Sequence, residues 1–203
     1  METSSQEKII WHFETLPKST KKALDFLSGK TWLKQLWYLA GGTALALQVG
    51  HRKSLDLDFF KEEKNFDSEE VLGEFEGNET WELSVSRKNT IYGQLLKTKM
   101  SFIAYPFFVP KQDPAWYGNI RVLNPLDIAV MKVVAISQRG RKRDFFDLYW
   151  CVHHIEPLEH IIKRLKIQYP SVVHNYHHIL KSMVYFQDAE VDSNPEIYFD
   201  VTW

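Results

Sequence analysis

The run Leu55-Asp56-Leu57-Asp58-Phe59 alternates apolar and acidic residues with the two-residue period of a β-strand. Side chains two apart on a strand share a face. Asp56 and Asp58 therefore project together, roughly 6.5 Å apart along the chain, while Leu55, Leu57 and Phe59 take the opposite face. Two carboxylates this close repel each other unless a cation lies between them, and hard oxygen donors of this kind suit Mg²⁺ or Mn²⁺.

The segment before that strand has the composition of a phosphate-handling loop. Trp37-Tyr38-Leu39-Ala40 reads as a buried strand, Gly41-Gly42 ends it, and Thr43 to Val49 is helical in composition. The glycine pair thus lies between a strand end and a helix start, where free backbone N–H groups and the helix dipole favour an anion. Taken alone, Gly-Gly serves equally well as a structural turn. His51-Arg52-Lys53-Ser54 then leads into the acidic strand. The planar fork of Arg52 suits a phosphate and Ser54 suits capping the turn, unless both simply face solvent.

Periodicity and breakers predict the remaining elements. Lys18 to Ser28 is a helix with Ala23, Leu24 and Leu27 on its apolar stripe and Gly29 at its stop, and a shorter helix follows near Thr31 to Leu36. Asp67 to Phe75 reads as a short acidic helix and Gly77-Asn78 as a turn. Trp81 to Arg87, Ile91 to Leu96 and Lys99 to Tyr105 are rich in β-branched and aromatic residues and joined by short polar turns, as antiparallel neighbours would be. Phe107 to Tyr117, with Pro110 and Pro114, reads as loop, and Asn119 to Leu123 as a last strand. Asn124-Pro125-Leu126-Asp127 opens a helix with an N-cap, a first-turn proline and an acid at the positive dipole end. Asp144 to His154, Leu158 to Gln168 and, beyond Pro170, Val172 to Phe186 predict further helices, ahead of an extended acidic and aromatic tail from Gln187 to Trp203 packed on the body.

The stretch Leu126 to Ile136 is apolar apart from Asp127 and Lys132. Burying an unpaired ammonium is costly, so Lys132 must snorkel to solvent, pair with an acid or face an anionic ligand. Asp144 and Asp147 lie three apart on the next helix and so share a face. The structural expectation is that Asp144 caps that helix and Asp147 pairs with Arg139 or Arg143. Although the net charge is only -1, Lys132 to Arg143 contains five basic residues and no acid, against an acidic stretch from Asp56 to Glu82. Such a basic run either draws in polyanions or forms a solvated surface.

The order strand, Gly-Gly-Thr, helix, Asp-x-Asp strand is similar to that of the nucleotidyltransferase fold. Gly41-Gly42-Thr43-Ala44-Leu45-Ala46-Leu47, His51 to Phe60, and a second block from Asp127 to Tyr149 that includes Arg139-Gly140-Arg141-Lys142-Arg143-Asp144-Phe145-Phe146-Asp147-Leu148 narrow the likeness. Together they resemble the AbiEii/AbiGii toxin family of nucleotidyltransferases. The resemblance implies an α+β fold, with a nucleotidyltransferase-like mixed/antiparallel sheet flanked by helices over residues 1–123 and a C-terminal helical lobe with an acidic aromatic tail over residues 124–203. It also implies metal-dependent transfer of a nucleoside monophosphate from a nucleoside triphosphate to an RNA acceptor such as tRNA, with pyrophosphate released and a cognate antitoxin as protein partner. By the same resemblance Asp56 and Asp58 hold Mg²⁺ or Mn²⁺ and act with Lys132 and Asp144 in catalysis, while Gly41, Gly42, Thr43, Arg52, Arg139 and Arg143 bind the nucleotide. Asp147 is a weaker candidate. Many polymerase-like relatives carry a third carboxylate on a later strand, but Lys99 to Tyr105 offers Lys99 and Ser101 and no acid, and nothing marks Glu82 as inward-facing. That departure leaves open a non-catalytic module that binds nucleotide, RNA or protein on a degenerate scaffold.

At 203 residues and 44% hydrophobic, the chain can bury one substantial core. The single cysteine, Cys151, excludes an internal disulfide, and no apolar run is long enough for a membrane span. Met1 to Lys8 is polar and has no signal-peptide core. The expectation is a protein of the reducing cytoplasm. His153, His154 and His160, and likewise His174, His177 and His178, have spacings compatible with Zn²⁺, yet neither group has a cysteine or evident carboxylate nearby, so surface roles are expected.

Overall fold

Asp58 lies in strand β2 (Leu57–Lys61), near the middle of a mixed seven-stranded sheet in this computed structural model, which describes residues 9–203; Asp56, expected on the same strand, stands just ahead of it because pairing begins at Leu57. The segment Met1 to Lys8, read above for a signal peptide, lies outside the described residues. β2 pairs antiparallel with β1 (Trp37–Ala40) on one side and parallel with β5 (Thr98–Ala104) on the other. Beyond β5 the sheet continues antiparallel through β4 (Thr90–Leu95) to β3 (Trp81–Arg87). Beyond β1 it continues parallel to β7 (Ile120–Val122) and antiparallel to β6 (Ala115–Tyr117). Helices α1 (Lys18–Ser28), α2 (Leu33–Leu36), α3 (Gly41–Val49) and α4 (Ser68–Gly73) lie among the strands. α5 (Pro125–Arg139), α6 (Lys142–His154), α7 (Leu158–Gln168), α8 (Tyr176–Ser182) and α9 (Gln187–Glu190) follow them.

Alternation along β2 and β5 gives the sheet two different faces. Leu57, Phe59, Met100 and Phe102 are buried on one face. Phe102 is the hub there, with ring centroids 5.2 to 6.0 Å from Phe59, Trp37, Trp32 and Phe75. Asp58, Phe60, Ser101 and Ile103 point the other way, into a cleft whose far wall is α5. One hydrophobic cluster runs through the strands and into the C-terminal helices, containing Leu39 and Leu45 together with Ile128, Val133 and Leu165.

α5 begins as its sequence demands, with the Asn124 side chain accepting from the Leu126 N–H at 3.0 Å, and stops at Gly140 in the left-handed region at φ 51. Asp127, however, is fully buried and accepts the N–H groups of Lys111 and Gln112 and the amide of Gln168, so it pins the preceding loop to α5 and α7. That loop contains β6, which closes a hairpin through Gly118 (φ 58). A Cβ at Gly118 would lie 2.6 Å from the Ser28 carbonyl oxygen.

Several boundaries differ from expectation, among them β6, which pairs with β7 inside the segment expected as loop, and α6, which starts at Lys142 and not Asp144. α3 starts at Gly41, not Thr43, and the helix expected over Val172 to Phe186 is confined to Tyr176–Ser182 because Asn175 caps it by accepting from the His178 N–H. Leu55, expected on the apolar face, is 54% exposed, since strand pairing begins only at Leu57. The tail, expected to be extended from Gln187, instead opens on the short helix α9, where the Ala189 and Glu190 N–H groups turn back onto the Phe186 carbonyl; beyond α9 it packs on the body as expected. Ile197 forms an antiparallel bridge with Arg52, the Lys53 N–H donates to Glu196 and the Tyr198 N–H to His51, each at 2.8 Å. Trp203 ends it among Phe145, Phe146 and Phe186. Among the described residues no helix is long and apolar enough to cross a membrane.

Replacing Phe102 by alanine removes the centre of the aromatic cluster and is expected to cost about 3–5 kcal/mol. Urea unfolding monitored by tryptophan fluorescence would show this as a lower midpoint with an unchanged slope.

Candidate active site

Strand register places Ala40 opposite Asp58, so the chain leaves β1 and enters α3 directly beside that carboxylate. Gly41 adopts φ 71, and a Cβ there would stand 3.3 Å from Asp58 Oδ2. Gly42 is needed for a different reason. A Cβ on it would fall 2.0 Å from Nη2 of Arg52, whose guanidinium is packed against the helix start. The first turn of α3 leaves its N–H groups without intrahelical acceptors, at the positive end of the helix. Thr43 contributes differently from expectation: its hydroxyl pairs with Ser54 Oγ at 2.8 Å and donates to the Asp56 carbonyl. Its side chain therefore braces the loop that carries Asp56, and Ser54 completes that brace in place of capping a turn.

Asp56 and Asp58 both open into a cleft of about 400 Å³ that is also lined by Gly41, Gly42, the buried Arg52 and Lys132, and the exposed Arg139 and Arg143. The Asp56 carboxyl is pushed above its ordinary value, first by burial and then by the charge of Asp58, against the pull of Arg143 and Lys99. Arg143 approaches it at 3.7 Å. Asp58 is oriented by Ser101, its register partner on β5, whose hydroxyl donates to Oδ1 at 2.7 Å. A buried hydroxyl thus occupies the position facing Asp58 where a third acid was sought. Among the described residues no three histidines, cysteines or acids gather as a metal site. His153 and His154 instead stack on Tyr149 and Trp150. The acid pair still fits Mg²⁺, which is commonly held by one or two carboxylates while substrate phosphates and water supply its other ligands.

Behind the cleft lies a buried ionic network. Asp147, fully inaccessible, accepts from Arg52 Nε at 2.6 Å and Nη2 at 2.9 Å, meets His51 Nε2 at 2.6 Å, and pairs with Lys132 Nζ at 2.5 Å. Lys132 also donates to Asp144 Oδ1 at 2.6 Å, and Arg139 Nε donates to the other Asp144 oxygen at 3.1 Å. Burial pushes the Asp147 carboxyl upward, but Arg52, Lys132 and His51 override it and hold it well below the usual carboxylate range. Asp144 is lowered in the same manner, with burial outweighed by Lys132 and Arg139. His51 is driven down chiefly by burial, which keeps its imidazole neutral near pH 7.

This network revises several expectations. Asp147 pairs with Arg52 and Lys132, not with Arg139 or Arg143, because the buried face of α6 turns toward α5 and the His51–Arg52 loop. Asp144 does not cap α6, whose N-cap is Arg141; it is fully buried, and Lys132 and Arg139 occupy its oxygens. Its place is behind the two basic side chains, off the cleft wall. Of its three expectations Lys132 meets the second, pairing with Asp144 and Asp147, at a place where it also lines the cleft. Ser101 and His51 are contributors for which the sequence offered no distinguishing signal.

Residues 25–201 match the family described as "Nucleotidyl transferase AbiEii toxin, Type IV TA system". An uncharacterized protein of Aquifex aeolicus (strain VF5) is 37% identical over 170 residues, covering 81% of this chain and 79% of the relative. Among solved structures, an H. pylori protein assigned as a nucleotidyltransferase aligns with a TM-score of 0.48 at 16% identity, covering 83% of this chain and 93% of that one. The nucleotidyltransferase toxin MenT4 of Mycobacterium tuberculosis H37Rv aligns with a TM-score of 0.48 at 18% identity, covering 73% of this chain and 64% of that one.

Asp147→Asn leaves Arg52 and Lys132 buried with one counter-charge fewer and is expected to lower stability by about 3–5 kcal/mol in urea at pH 7. The folded-state pKa of Asp147 is depressed, so its contribution is present above the unfolded carboxylate value of about 3.9 and is lost as pH falls through the folded value. Wild-type stability should therefore fall more steeply than that of the variant as pH drops below about 4.

Proposed function

The chain belongs to the AbiEii family of nucleotidyltransferase toxins, and we propose that its cleft transfers a nucleoside monophosphate from a nucleoside triphosphate to an RNA acceptor, releasing pyrophosphate. The observation that carries this reading is the junction of Gly41 with Asp58. A helix start with free N–H groups lies directly beside a carboxylate pair, 3.3 Å separating Asp58 Oδ2 from where a Gly41 Cβ would stand.

In this reading the triphosphate lies against the backbone of Gly41, Gly42 and Thr43, where the helix dipole favours negative charge. Asp56 and Asp58 would hold Mg²⁺ or Mn²⁺, which when bound neutralises phosphate charge and lowers the pKa of the acceptor hydroxyl. Arg143, half-exposed at the cleft mouth, is free to turn onto phosphate oxygens, and Arg139, held by Asp144, has further N–H donors for them. Lys132 has three N–H donors, two of them engaged by Asp144 and Asp147, so one remains for the ligand. Asp144 and Asp147 act as positioning residues that fix Lys132, Arg52 and Arg139. The acceptor oxygen then bonds to the α-phosphorus while the bond to pyrophosphate breaks. The exposed arginines support a polyanionic acceptor, tRNA being one, and membership of a toxin family supports a cognate antitoxin as partner.

A second reading, a non-catalytic module that binds nucleotide, RNA or protein, is favoured by one observation: a serine and not an acid faces Asp58 across the strands. Incubation with each α-labelled nucleoside triphosphate, total RNA and Mg²⁺ separates the two. The catalytic reading expects label on RNA, its loss on chelation of the metal, and a drop of roughly a hundredfold or more in Asp56→Ala and Asp58→Ala. Nucleotide binding without any label transferred by wild type would leave the second reading in place.

A further inference from the structure

Both walls of the cleft grade from charged to apolar in the same direction. On the sheet wall, one cross-strand row consists of Asp58, Ser101 and Tyr92. Two residues further along β2 and β5, the next row is Phe60 and Ile103, followed by Tyr105. Each step of two residues advances about 6.5 Å. On the helix wall, the C-terminal end of α5 carries Arg139, which pairs with Asp144, and one turn or more back come Lys132 and then Met131 and Ile128. The N-terminal end of α5 is tied through Asp127 to Gln168, and the adjacent Tyr169 meets the Tyr105 hydroxyl at 3.3 Å. The apolar end of α5 therefore faces the apolar end of the sheet.

That apolar zone is not packed shut. Phe59 and Phe102, on the opposite face of the sheet, are 0% exposed, whereas Phe60, Ile103, Tyr105 and Met131 keep partial exposure and line the cleft. Phe60 stacks on Tyr38 with centroids 6.0 Å apart and meets Tyr105 edge to face at 5.7 Å, and Phe60 and Tyr105 line the same cleft as Met131. A slot that is charged at one end and flat and apolar at the other suits a ligand with a polyanionic head and a planar ring.

We propose that this zone is the nucleobase subsite, holding the base by its face between Phe60 and Ile103 on the sheet and Met131 on α5, with Tyr105 closing the far end. The proposal rests on the reading of the charged end as the triphosphate site. Because the Tyr105 hydroxyl is engaged with Tyr169, the zone recognises the ring by stacking and apolar contact, an interaction that every base can make.

Titration calorimetry of the full chain in Mg²⁺ tests it, using two kinds of probe: the α,β-methylene analogues of the nucleoside triphosphates, which bind but cannot transfer, and inorganic tripolyphosphate. Wild type is expected to bind its best nucleotide analogue at least about tenfold more tightly than tripolyphosphate, the scale of one stacked base. Ile103→Trp fills the zone and Phe60→Ala removes its aromatic face. Both should bring the nucleotide affinity down to that of tripolyphosphate while tripolyphosphate itself binds as in wild type, which also shows the charged end intact and the variant folded. Equal wild-type affinity for the two probes, or an undiminished nucleotide preference in both variants, overturns the base subsite alone. If neither probe binds wild type, the triphosphate reading beneath it falls as well.

Discussion

The carboxylate of Asp147 is the point on which the candidate site is assembled. It joins α6 to Lys132 of α5 and to the His51–Arg52 loop that follows α3, with contacts of 2.5 to 2.9 Å. A lone carboxylate buried this completely would be pushed toward its neutral form, and lone cations beside it would be equally costly. Together they are tolerated because both oxygens of Asp147 are engaged by N–H donors. Replacing such a cluster with apolar groups often leaves a protein as stable or more so, so stability alone does not account for it. What it supplies is position. Arg52 is held so firmly that its guanidinium occupies the space a side chain at residue 42 would need, and the Gly-Gly start of α3 follows from that packing as much as from any need to approach a phosphate.

The tail reinforces the same loop from the other side. Glu196 and Tyr198 bond to the backbone of Lys53 and His51, and Ile197 forms an isolated bridge with Arg52, so the segment carrying the guanidinium is held by Asp147 through its side chain and by the tail through its backbone. Asp192 adds a further tie, accepting from the Arg141 side chain at 2.7 Å and from the Lys142 backbone N–H at 3.0 Å at the start of α6. Two of the basic residues that give the sequence its polyanion-seeking run, Arg141 and Lys142, are thereby partnered by the tail, with Lys142 reaching Asn194 at 3.1 Å. Arg139 and Arg143 remain the half-exposed cations at the cleft. The fold thus gives a basic run in sequence separate partners: the tail for Arg141 and Lys142, Asp144 for Arg139, and Asp56 at 3.7 Å for Arg143.

Legibility followed the range of the interaction. The Asp-x-Asp strand, the three antiparallel strands and the start of α5 were readable because their signals are local: a period of two, short polar turns, and an Asn-Pro cap. Gly41, Gly42, Asp56, Asp58, Lys132, Arg139 and Arg143, each singled out from local motifs, are gathered by the structure in one cleft. The partners of the buried charges were not readable. Asp147 meets His51 and Arg52 across 96 and 95 residues, and nothing near it in sequence distinguishes those partners from the closer Arg139 and Arg143. Ser101 escaped for a similar reason, since a serine on a strand gains its meaning only from the register that sets it against Asp58. Leu55 was misplaced because alternation predicts faces only where the strand is paired, and the Thr43–Ser54 brace holds that segment off the sheet.

The site separates its aspartates by environment. Asp144 and Asp147 are more deeply buried than Asp56, and burial pushes all three upward, yet the first two end below the ordinary carboxylate value and Asp56 ends above it. The difference is the sign of the charge that acts most strongly on each. Lys132 and Arg52 stand at bonding distance from the deep pair, whereas the strongest charge acting on Asp56 is Asp58, and Arg143 compensates only from 3.7 Å. Acids with matched cations are electrostatically complete and hold structure. An acid on which the strongest charge is another acid, in an open cleft beside a helix N-terminus, gains the most from any cation that enters. That imbalance supports reading Asp56 and Asp58 as the pair that takes a divalent ion and Asp144 and Asp147 as the pair that keeps the surrounding basic side chains in place.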